Sequence, residues 1–317
     1  MDQLATLLDG LKAVAEPTRL RLLAICARSE LTVSEITSIV GQSQPRVSRH
    51  LKLLCHAGLL IRYREQNWVY YRVPQTGAAA NLALALLAQL PPDDAQLGLD
   101  QRRLEELLEQ RAEAARAVVE QGRQDNGPAR VADEATVDAL ILRSMLDEEI
   151  GELLDIGTGS GRMLRLLGKN AGRAVGIDIS RAMLMLARSN LHAAGLDRLL
   201  VRQGNMYQLR FADSSFDTVT IDQVLFQAEQ PGQVLLEAAR VLREGGRLLL
   251  VEFLTADPAA VSGPAESDCV DIDRQCLDQW LADAGLRLEH CQQLPGQPYP
   301  LIFSVARRLS DGEQVAA

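Results

Sequence analysis

The stretch ELLDIGTGSGR, residues 152–162, joins an apolar strand pattern to a glycine-rich turn and the start of a helix. Glycines at positions 157 and 159 can let a ligand approach bare backbone. The spacing separates three kinds of site. A dinucleotide fingerprint requires glycine at position 162, where this chain has arginine, and a phosphate-binding loop requires G-K-[S/T], which does not follow here. The remaining pattern, E-x-x-D-x-G-x-G-x-G, predicts a site for another kind of ligand.

A second apolar strand pattern ends at Asp178, 17 residues beyond Gly161. A carboxylate at that strand end can accept hydrogen bonds from both hydroxyl groups of a ribose. From about residue 131 onward strand and helix patterns alternate, which is typical of a parallel sheet with helices on both faces. The predicted strands are Glu152–Ile156, Ala174–Ile179, Leu199–Gln203, Thr218–Ile221 and Arg247–Phe253, and the predicted helices are Met163–Leu167, Ala182–Ala194 and Val234–Leu242. An antiparallel pair is predicted in the tail, over Leu286–Cys291 and Pro300–Val305.

Upstream of this region, the chain divides into a connector and a smaller domain. Breaks at Pro91-Pro92 and at Asp125–Pro128 bound a charged amphipathic helix pattern over Asp100–Gln121. The sequence therefore predicts three parts: a domain over residues 1–90, a helical linker over 91–130 and an α/β domain over 131–317. The linker helix is interpreted as a packed helix, with a dimer or interdomain contact as the alternative.

Residues 1–90 show a helical pattern that ends in one hairpin. Ser34 and Ser43 are predicted to cap two consecutive helices joined by Gly41–Ser43. The predicted elements are helices over 3–14, 17–27, 35–40, 44–57 and 78–90, and strands over 59–64 and 68–73. Two short helices followed by a hairpin predict an α+β winged helix-turn-helix, a fold that binds DNA.

The second helix of this motif has Val47, Leu51 and Leu54 on one side, which should face the core. The opposite side carries residue types that bind DNA, since arginine pairs with guanine, glutamine with adenine, and serine or lysine with phosphate. The predicted DNA-contacting residues are Gln44, Arg46, Ser48, Arg49 and Lys52 on this helix and Arg62, Arg64 and Arg72 on the wing.

Charge is distributed unevenly along the 317 residues. The net charge of −9 argues against nucleic acid as a partner, but residues 1–90 hold ten Lys/Arg and six Asp/Glu, and residues 43–72 hold six Lys/Arg and one acid. Five dispersed cysteines fit a reducing compartment, and no apolar run reaches the ~20 residues that span a bilayer. We therefore expect a cytoplasmic protein without membrane contact.

Residues 13–73 resemble the ArsR-type winged-helix repressors. The similarity lies in LKAVAEPTRLRLLAI, LTVSEITSIVGQSQPRVSRHLKLLCHAGLL and REQNWVYYRV. It implies a homodimer, built through the first and last helices, that binds an inverted-repeat operator. Metal-sensing members carry Cys-Val-Cys in the third helix, whereas this chain has Thr32-Val33-Ser34, and hydroxyls do not replace thiolates for a soft metal. No metal site is therefore predicted.

Residues 131–255 resemble the class I S-adenosylmethionine (SAM) methyltransferases, through ELLDIGTGSG, AVGIDIS, RQGNMYQLRFADSSFDTVTIDQVL and EAARVLREGGRLLLVEF. The last two segments are most similar to the quinone-biosynthesis branch. The resemblance implies a Rossmann-like, mainly parallel seven-stranded sheet. It also implies that Asp178 holds the ribose, Ile179 packs on adenine and Asp222 lies beside the methionine moiety. The full set of implied ligand contacts is Asp155, Gly157, Thr158, Gly159, Asp178, Ile179, Asn205, Met206, Asp222 and Gln223.

Two functions follow from these resemblances. The first is a transcriptional repressor whose methyltransferase-like domain binds SAM or S-adenosylhomocysteine (SAH) as effector, which would suit control of methionine/SAM-cycle genes. The alternative is an active methyltransferase on a small molecule, with the winged helix as its regulatory domain. Catalytic residues are not identified, because the histidines of the second domain, His192 and His290, stand outside the motifs.

Overall fold

The computed structural model describes residues 3–65, 68–123, 134–254, 272–295 and 299–310. The chain divides into two compact units, residues 1–113 and 114–317. The predicted break at 125–128 lies outside the described residues, as does most of the segment between the last parallel strand and the tail.

The first unit is a winged helix-turn-helix. Its elements are α1 (Gln3–Val14), α2 (Pro17–Arg28), β1 (Leu31–Thr32), α3 (Val33–Val40), α4 (Gln44–His56), β2 (Ile61–Glu65), β3 (Trp68–Arg72), α5 (Ala78–Leu87) and α6 (Ala95–Arg123), the last of which continues past the unit boundary. The strands form a sheet in the order β1-β3-β2. The short β1, which the sequence analysis did not predict, pairs with β3 and so fixes the base of the wing beside α3.

The caps of the two central helices differ from those predicted. Thr32, not Ser34, caps α3: its hydroxyl accepts from the Glu35 N–H, while the Glu35 carboxylate accepts from the Thr32 N–H, which forms a capping box. Ser43 stands at the N-cap of α4 but makes no side-chain cap bond there. Gly41 ends α3 in the left-handed region, at a φ of 66°, which turns the chain towards α4.

The second unit contains the α/β fold. Its elements are α7 (Glu134–Met145), β4 (Glu152–Ile156), α8 (Arg162–Leu167), β5 (Arg173–Asp178), α9 (Arg181–Ala193), β6 (Leu200–Gln203), β7 (Phe216–Asp222), α10 (Pro231–Val241), β8 (Leu242–Phe253), α11 (Arg274–Asp283), β9 (Leu286–Leu294) and β10 (Leu301–Arg308). Among the described residues, seven strands form one sheet in the order β6-β5-β4-β7-β8-β10-β9.

The sheet is parallel from β6 to β8, and β10 and β9 add the antiparallel pair predicted for the tail. Consecutive residues of β4 and β7 are buried, which shows that both faces of the central strands are covered. The predicted fold class is confirmed. The helices α7 and α11 were not predicted, although Val137, Ile141 and Met145 of α7 recur every four residues and are buried.

Candidate functional site

The glycine turn lies at the carboxyl end of β4, between Ile156 and the start of α8 at Arg162. Parallel sheets bind ligands at this edge. The Thr158 N–H donates to the Ile177 carbonyl of the neighbouring β5 (2.8 Å), and the Gly161 N–H donates to the Thr158 carbonyl (2.8 Å). These bonds fix the turn to the strand that ends at Asp178.

The glycines of the turn differ in what lies next to them. Gly157, Gly159 and Gly161 all have positive φ angles, of 68°, 50° and 81°. A side chain at Gly157 would overlap Val224, so glycine is needed there for packing within the protein. At Gly159 the nearest atom to an added Cβ is the Gly157 carbonyl oxygen, at 3.9 Å. Of the two glycines predicted to offer bare backbone, the structure therefore leaves space beside Gly159.

Asp155 lies beneath the turn and is 1% exposed. Its carboxylate accepts from the hydroxyls of Thr158 (2.6 Å) and Thr220 (2.8 Å), which ties the turn to β7. Burial raises the pKa of Asp155 to about 7, although the two hydroxyls oppose the shift. The contact of Asp155 with a ligand stays a prediction, and its observed role is to support the turn.

Asp178 ends β5 beside the same turn. One carboxylate oxygen accepts from the Gly159 N–H (2.9 Å) and the other from the Ser180 N–H (2.7 Å). Burial raises the pKa of Asp178, and these N–H groups oppose that effect. The next residue, Ile179, is 72% exposed, an unusual position for a large apolar side chain directly after a buried strand. A carboxylate and an uncovered apolar surface thus stand side by side.

Asn205 and Met206 follow β6 in a tight turn. The Asn205 side-chain oxygen accepts from the Tyr207 N–H (2.9 Å), and the Asn205 carbonyl accepts from the Gln208 N–H (3.2 Å). Asn205 is exposed, while Met206 is half-buried and packs against the core. The arrangement keeps the Asn205 carboxamide at the surface of the same sheet edge.

Asp222 ends β7, the strand next to β4, and Gln223 follows it. Gln223 has a φ of 56°, which is rare outside glycine and marks a constrained turn. The Asp222 carboxylate accepts from Nη1 of Arg162 (2.7 Å), and Nη2 of the same guanidinium pairs with Asp138 of α7. Burial lowers the pKa of Arg162, but the two carboxylates outweigh that effect and raise it, so its charge is retained.

Sequence reasoning missed two members of this region. It treated Arg162 only as a residue that excludes a dinucleotide, and it did not consider Glu252. Glu252 is fully buried in β8 and accepts from the N–H groups of Val224 (3.0 Å), Leu225 (2.7 Å) and Phe253 (2.9 Å). Burial raises its pKa to about 8. The signal was present, because an acid inside the apolar run LLLVEF requires a buried partner.

The DNA-facing prediction concerns α4 and the wing. Val47, Leu51 and Leu54 are fully buried, as predicted. The five polar residues predicted to contact DNA are exposed along the other side of the helix: Gln44, Arg46, Ser48, Arg49 and Lys52. Arg62 and Arg64 are also exposed and alternate along β2, so they share one face of the wing.

Arg72 does not join this surface, which corrects its predicted contact with DNA. Its side chain is 8% exposed and lies 3.5 Å from the Glu30 carboxylate, with the guanidinium over the ring of Tyr63. Arg72 therefore anchors the base of the wing. Sequence alternation along β3 could not show this, because Glu30 and Tyr63 lie outside that strand.

The helix α6 packs within the first unit, where the sequence predicts a linker. Leu104 and Leu108 lie in the same apolar cluster as the core of the helix-turn-helix. Arg111 pairs with Glu35 of α3, and Nη2 of Arg21 in α2 bonds Asp100 (2.8 Å). Burial raises the pKa of Glu35, but the Arg111 charge and the bonds from Arg111 and Thr32 outweigh it and hold the pKa below its usual value.

Comparison with known proteins agrees with both halves of the structure. Residues 16–62 match the family described as "Bacterial regulatory protein, arsR family". Residues 154–250 match the family described as "Methyltransferase domain". The chain joins an ArsR-family regulatory domain to a methyltransferase domain. Both predicted resemblances are confirmed.

Relatives in curated collections match parts of the chain. The ubiquinone/menaquinone biosynthesis C-methyltransferase of Roseobacter denitrificans is 38% identical over 105 residues, which cover 32% of this chain and 42% of that protein. The 27-O-demethylrifamycin SV methyltransferase of Amycolatopsis mediterranei is 36% identical over 129 residues, or 39% of this chain and 47% of that protein. The chain spans about half or less of the length of these relatives.

A solved structure shares the fold of the methyltransferase domain. It is a geranyl diphosphate methyltransferase in complex with GPP and sinefungin, with a TM-score of 0.50 and 19% identity, and the match covers 56% of this chain and 78% of that one. None of the helices in the described parts of this chain is long and apolar enough to cross a membrane.

Proposed function

We propose that the protein is a DNA-binding transcriptional repressor whose methyltransferase domain binds SAM or SAH as effector. The observation that carries the DNA part is the exposed polar side of α4, where Arg46, Arg49 and Lys52 stand opposite a fully buried apolar side. Arg62 and Arg64 of the wing extend the positive surface. Phosphate contacts from such a surface supply affinity, and the arginines of the helix supply base readout.

The proposed form on DNA is a homodimer. Leu4, Leu7, Leu8 and Leu11 of α1 recur along one side of the helix and are 40–61% exposed. Four large apolar side chains in a stripe at helical spacing form a patch that a second copy of α1 would cover. A twofold dimer presents two copies of α4, which matches an inverted-repeat operator.

The residues at the carboxyl edge of the sheet fit a SAM-type ligand. Asp178 provides a carboxylate for the ribose hydroxyls, Ile179 provides an uncovered apolar surface for adenine, and Gly159 leaves space for close approach. Asn205 stands exposed where an adenine edge could be read. When bound, SAM would carry a transferable methyl group on a positively charged sulfur, and SAH would lack both.

The positions of the two histidines in this domain favour a role of the bound ligand as effector over catalysis by the domain. His192 lies 2.7 Å from Asp197, and His290 packs against Phe303 in the antiparallel part of the sheet. Neither contacts a residue of the predicted ligand site in these pairings. Since DNA binding is the output of such a protein, we place it in the cytoplasm.

The deciding experiment is titration of operator binding by the purified protein in the presence of SAM or SAH. A ligand shifts this equilibrium only by its different affinities for the two states, and couplings of ~1–3 kcal/mol are typical, a factor of ~5–150 in operator affinity. We expect SAH to change operator affinity more than SAM does. If both leave it unchanged within twofold and a methyl group is transferred to a small acceptor, the protein is instead an active methyltransferase with a regulatory domain.

A further inference from the structure

Arg162, the first residue of α8, stands between two carboxylates. Its Nη1 lies 2.7 Å from Asp222 of β7, and its Nη2 pairs with Asp138 of α7. The side chains of Arg162 and Asp222 are largely buried, and that of Asp138 is half-buried. The Arg162 Nε–H is itself buried and has no hydrogen-bond partner within the described part of the chain. Carboxylates therefore hold the guanidinium through Nη1 and Nη2, while Nε–H makes no hydrogen bond to the described residues.

This cluster borders the glycine turn. In the register of the sheet, Ile156 of β4 lies beside Ile221 of β7, so Asp222 and Gly157 are the residues that follow on the two neighbouring strands. Arg162 immediately follows the last glycine of the turn. A ligand that lies against Gly159 thus meets the Asp178 carboxylate and, beyond Gly157, a cluster of one cation and two carboxylates in which the cation offsets the charge of Asp222.

We propose that Arg162 shifts the preference of this site away from the positively charged sulfonium ligand, SAM, and towards its neutral thioether counterpart, SAH. The inference rests on the proposed function, since it assumes that the site takes this pair of ligands. The two ligands differ by one methyl group and one positive charge on sulfur. An unpaired Asp222 would attract the sulfonium, whereas Asp222 paired with Arg162 does so weakly and the guanidinium repels it.

The position of the guanidinium makes its charge persistent. Two carboxylates hold Arg162, so it cannot swing into solvent without breaking two ion pairs. Because the pair is largely buried, water and salt screen its field less than at an exposed site.

The test measures the dissociation constants of SAM and SAH for the full-length protein and its variants by isothermal titration calorimetry. The readout is the ratio of the two constants within one protein, which a general loss of stability does not change. Arg162→Met removes the charge, Arg162→Lys retains it, and Asp222→Asn removes the carboxylate. Arg165→Met, an exposed arginine one turn further along α8, is the matched control.

In Arg162→Met, SAM should gain at least fivefold relative to SAH; in Asp222→Asn, SAM should lose at least fivefold; and Arg162→Lys and Arg165→Met should keep the wild-type ratio within twofold. If Arg162→Met still binds both ligands and its ratio of SAM to SAH dissociation constants stays within twofold of wild type, this inference is overturned while the proposed function stands. If wild type binds neither ligand, the ligand part of the proposed function fails and the inference falls with it.

Discussion

Nε of Arg111, on α6, donates to the Glu35 carboxylate of α3 over 2.9 Å. The same carboxylate closes the capping box with Thr32, so one acid joins α6 to the start of the helix-turn-helix. Arg111 also approaches the carbonyl of Glu30 (3.4 Å), whose side chain faces Arg72 at the base of the wing. In metal-sensing relatives, by resemblance, this part of α3 carries thiolates. Here an ion pair from α6 holds it.

Substitution of Arg111 should therefore destabilise the first unit. Arg111→Met leaves Glu35 partly buried without its cation, and loss of one partner from such a pair costs roughly 3 kcal/mol. The chain has two tryptophans, Trp68 in the first unit and Trp280 in the second. In a Trp280→Phe background, denaturant unfolding followed by fluorescence reports the first unit. Arg116→Met, an exposed arginine of the same helix, is the control and should cost less than 0.5 kcal/mol. Equal effects of the two substitutions would contradict the role of the pair.

Truncation tests whether α6 belongs to the DNA-binding unit. A fragment of residues 1–123 retains Asp100, Leu104, Leu108 and Arg111, whereas a fragment of residues 1–90 lacks all four. Each buried leucine contributes ~1.5–3 kcal/mol, and both ion pairs of α6 are lost as well. We expect the longer fragment to unfold cooperatively and the shorter one to unfold at a much lower denaturant concentration, as measured by circular dichroism. Similar midpoints for the two fragments would show that residues 91–130 form a linker, as the sequence predicts.

The DNA surface is tested by removing α4 and wing arginines separately. Arg46→Ala and Arg49→Ala should each cost ~1–3 kcal/mol of operator binding and relax sequence preference, because both residues are exposed on the proposed reading face. Arg64→Ala should weaken operator and random DNA alike and lower the salt dependence of binding. Arg28→Ala, an exposed arginine on α2, is the control. Fluorescence anisotropy with both DNAs at several salt concentrations measures all three effects. Unchanged operator affinity in the Arg46→Ala/Arg49→Ala double variant would refute α4 as the reading helix.

The sequence predicts local order better than it predicts which side chains meet. The apolar runs and helical patterns place the strands of the central sheet to within a few residues, since those patterns depend on neighbours in the chain. The group of Arg162, Asp138 and Asp222 could not be predicted, because its members lie 24 and 60 residues apart and α7 was not recognised. The burial of Arg72 could not be predicted for the same reason, since its partner Glu30 lies 42 residues earlier in the chain.

The buried Asp155 should produce a pH-dependent stability of the second unit. Its pKa rises from 3.8 to about 7 on burial, so the folded state binds the proton more tightly than the unfolded state. Wild type should therefore lose stability, relative to Asp155→Asn, as pH rises from about 4 to about 7, by up to ~4 kcal/mol, and no further above that range. The asparagine can still bond the Thr158 and Thr220 hydroxyls. Denaturant unfolding, followed by Trp280 fluorescence in a Trp68→Phe background, measures the difference in unfolding free energy between the two proteins at each pH. The contribution of Glu252 to the pH dependence cancels in this difference, because both proteins retain Glu252. A difference that is flat over this pH range would contradict the raised pKa.

Asp178 tests the ligand site itself, and its expected effect differs from that of Arg162. The carboxylate is proposed to accept two ribose hydrogen bonds, each worth ~1.5–3 kcal/mol, and SAM and SAH carry the same ribose. Asp178→Ala should weaken both ligands by at least tenfold and by the same factor, so the SAM-to-SAH ratio stays at its wild-type value. Asp178 also accepts hydrogen bonds from the Gly159 and Ser180 N–H groups, so its loss could disturb the turn as well as the ligand contact. Asp178→Asn separates these two effects because it retains a side-chain acceptor. This variant should bind both ligands more tightly than Asp178→Ala does. Asp283→Ala, at an exposed acid on α11, should leave both affinities unchanged.

NAD should not bind measurably to wild type, since arginine occupies position 162. Calorimetric titration of the three ligands decides the matter, and SAM binding that is indifferent to Asp178, or tight binding of NAD, would show that the glycine turn holds its ligand in another way.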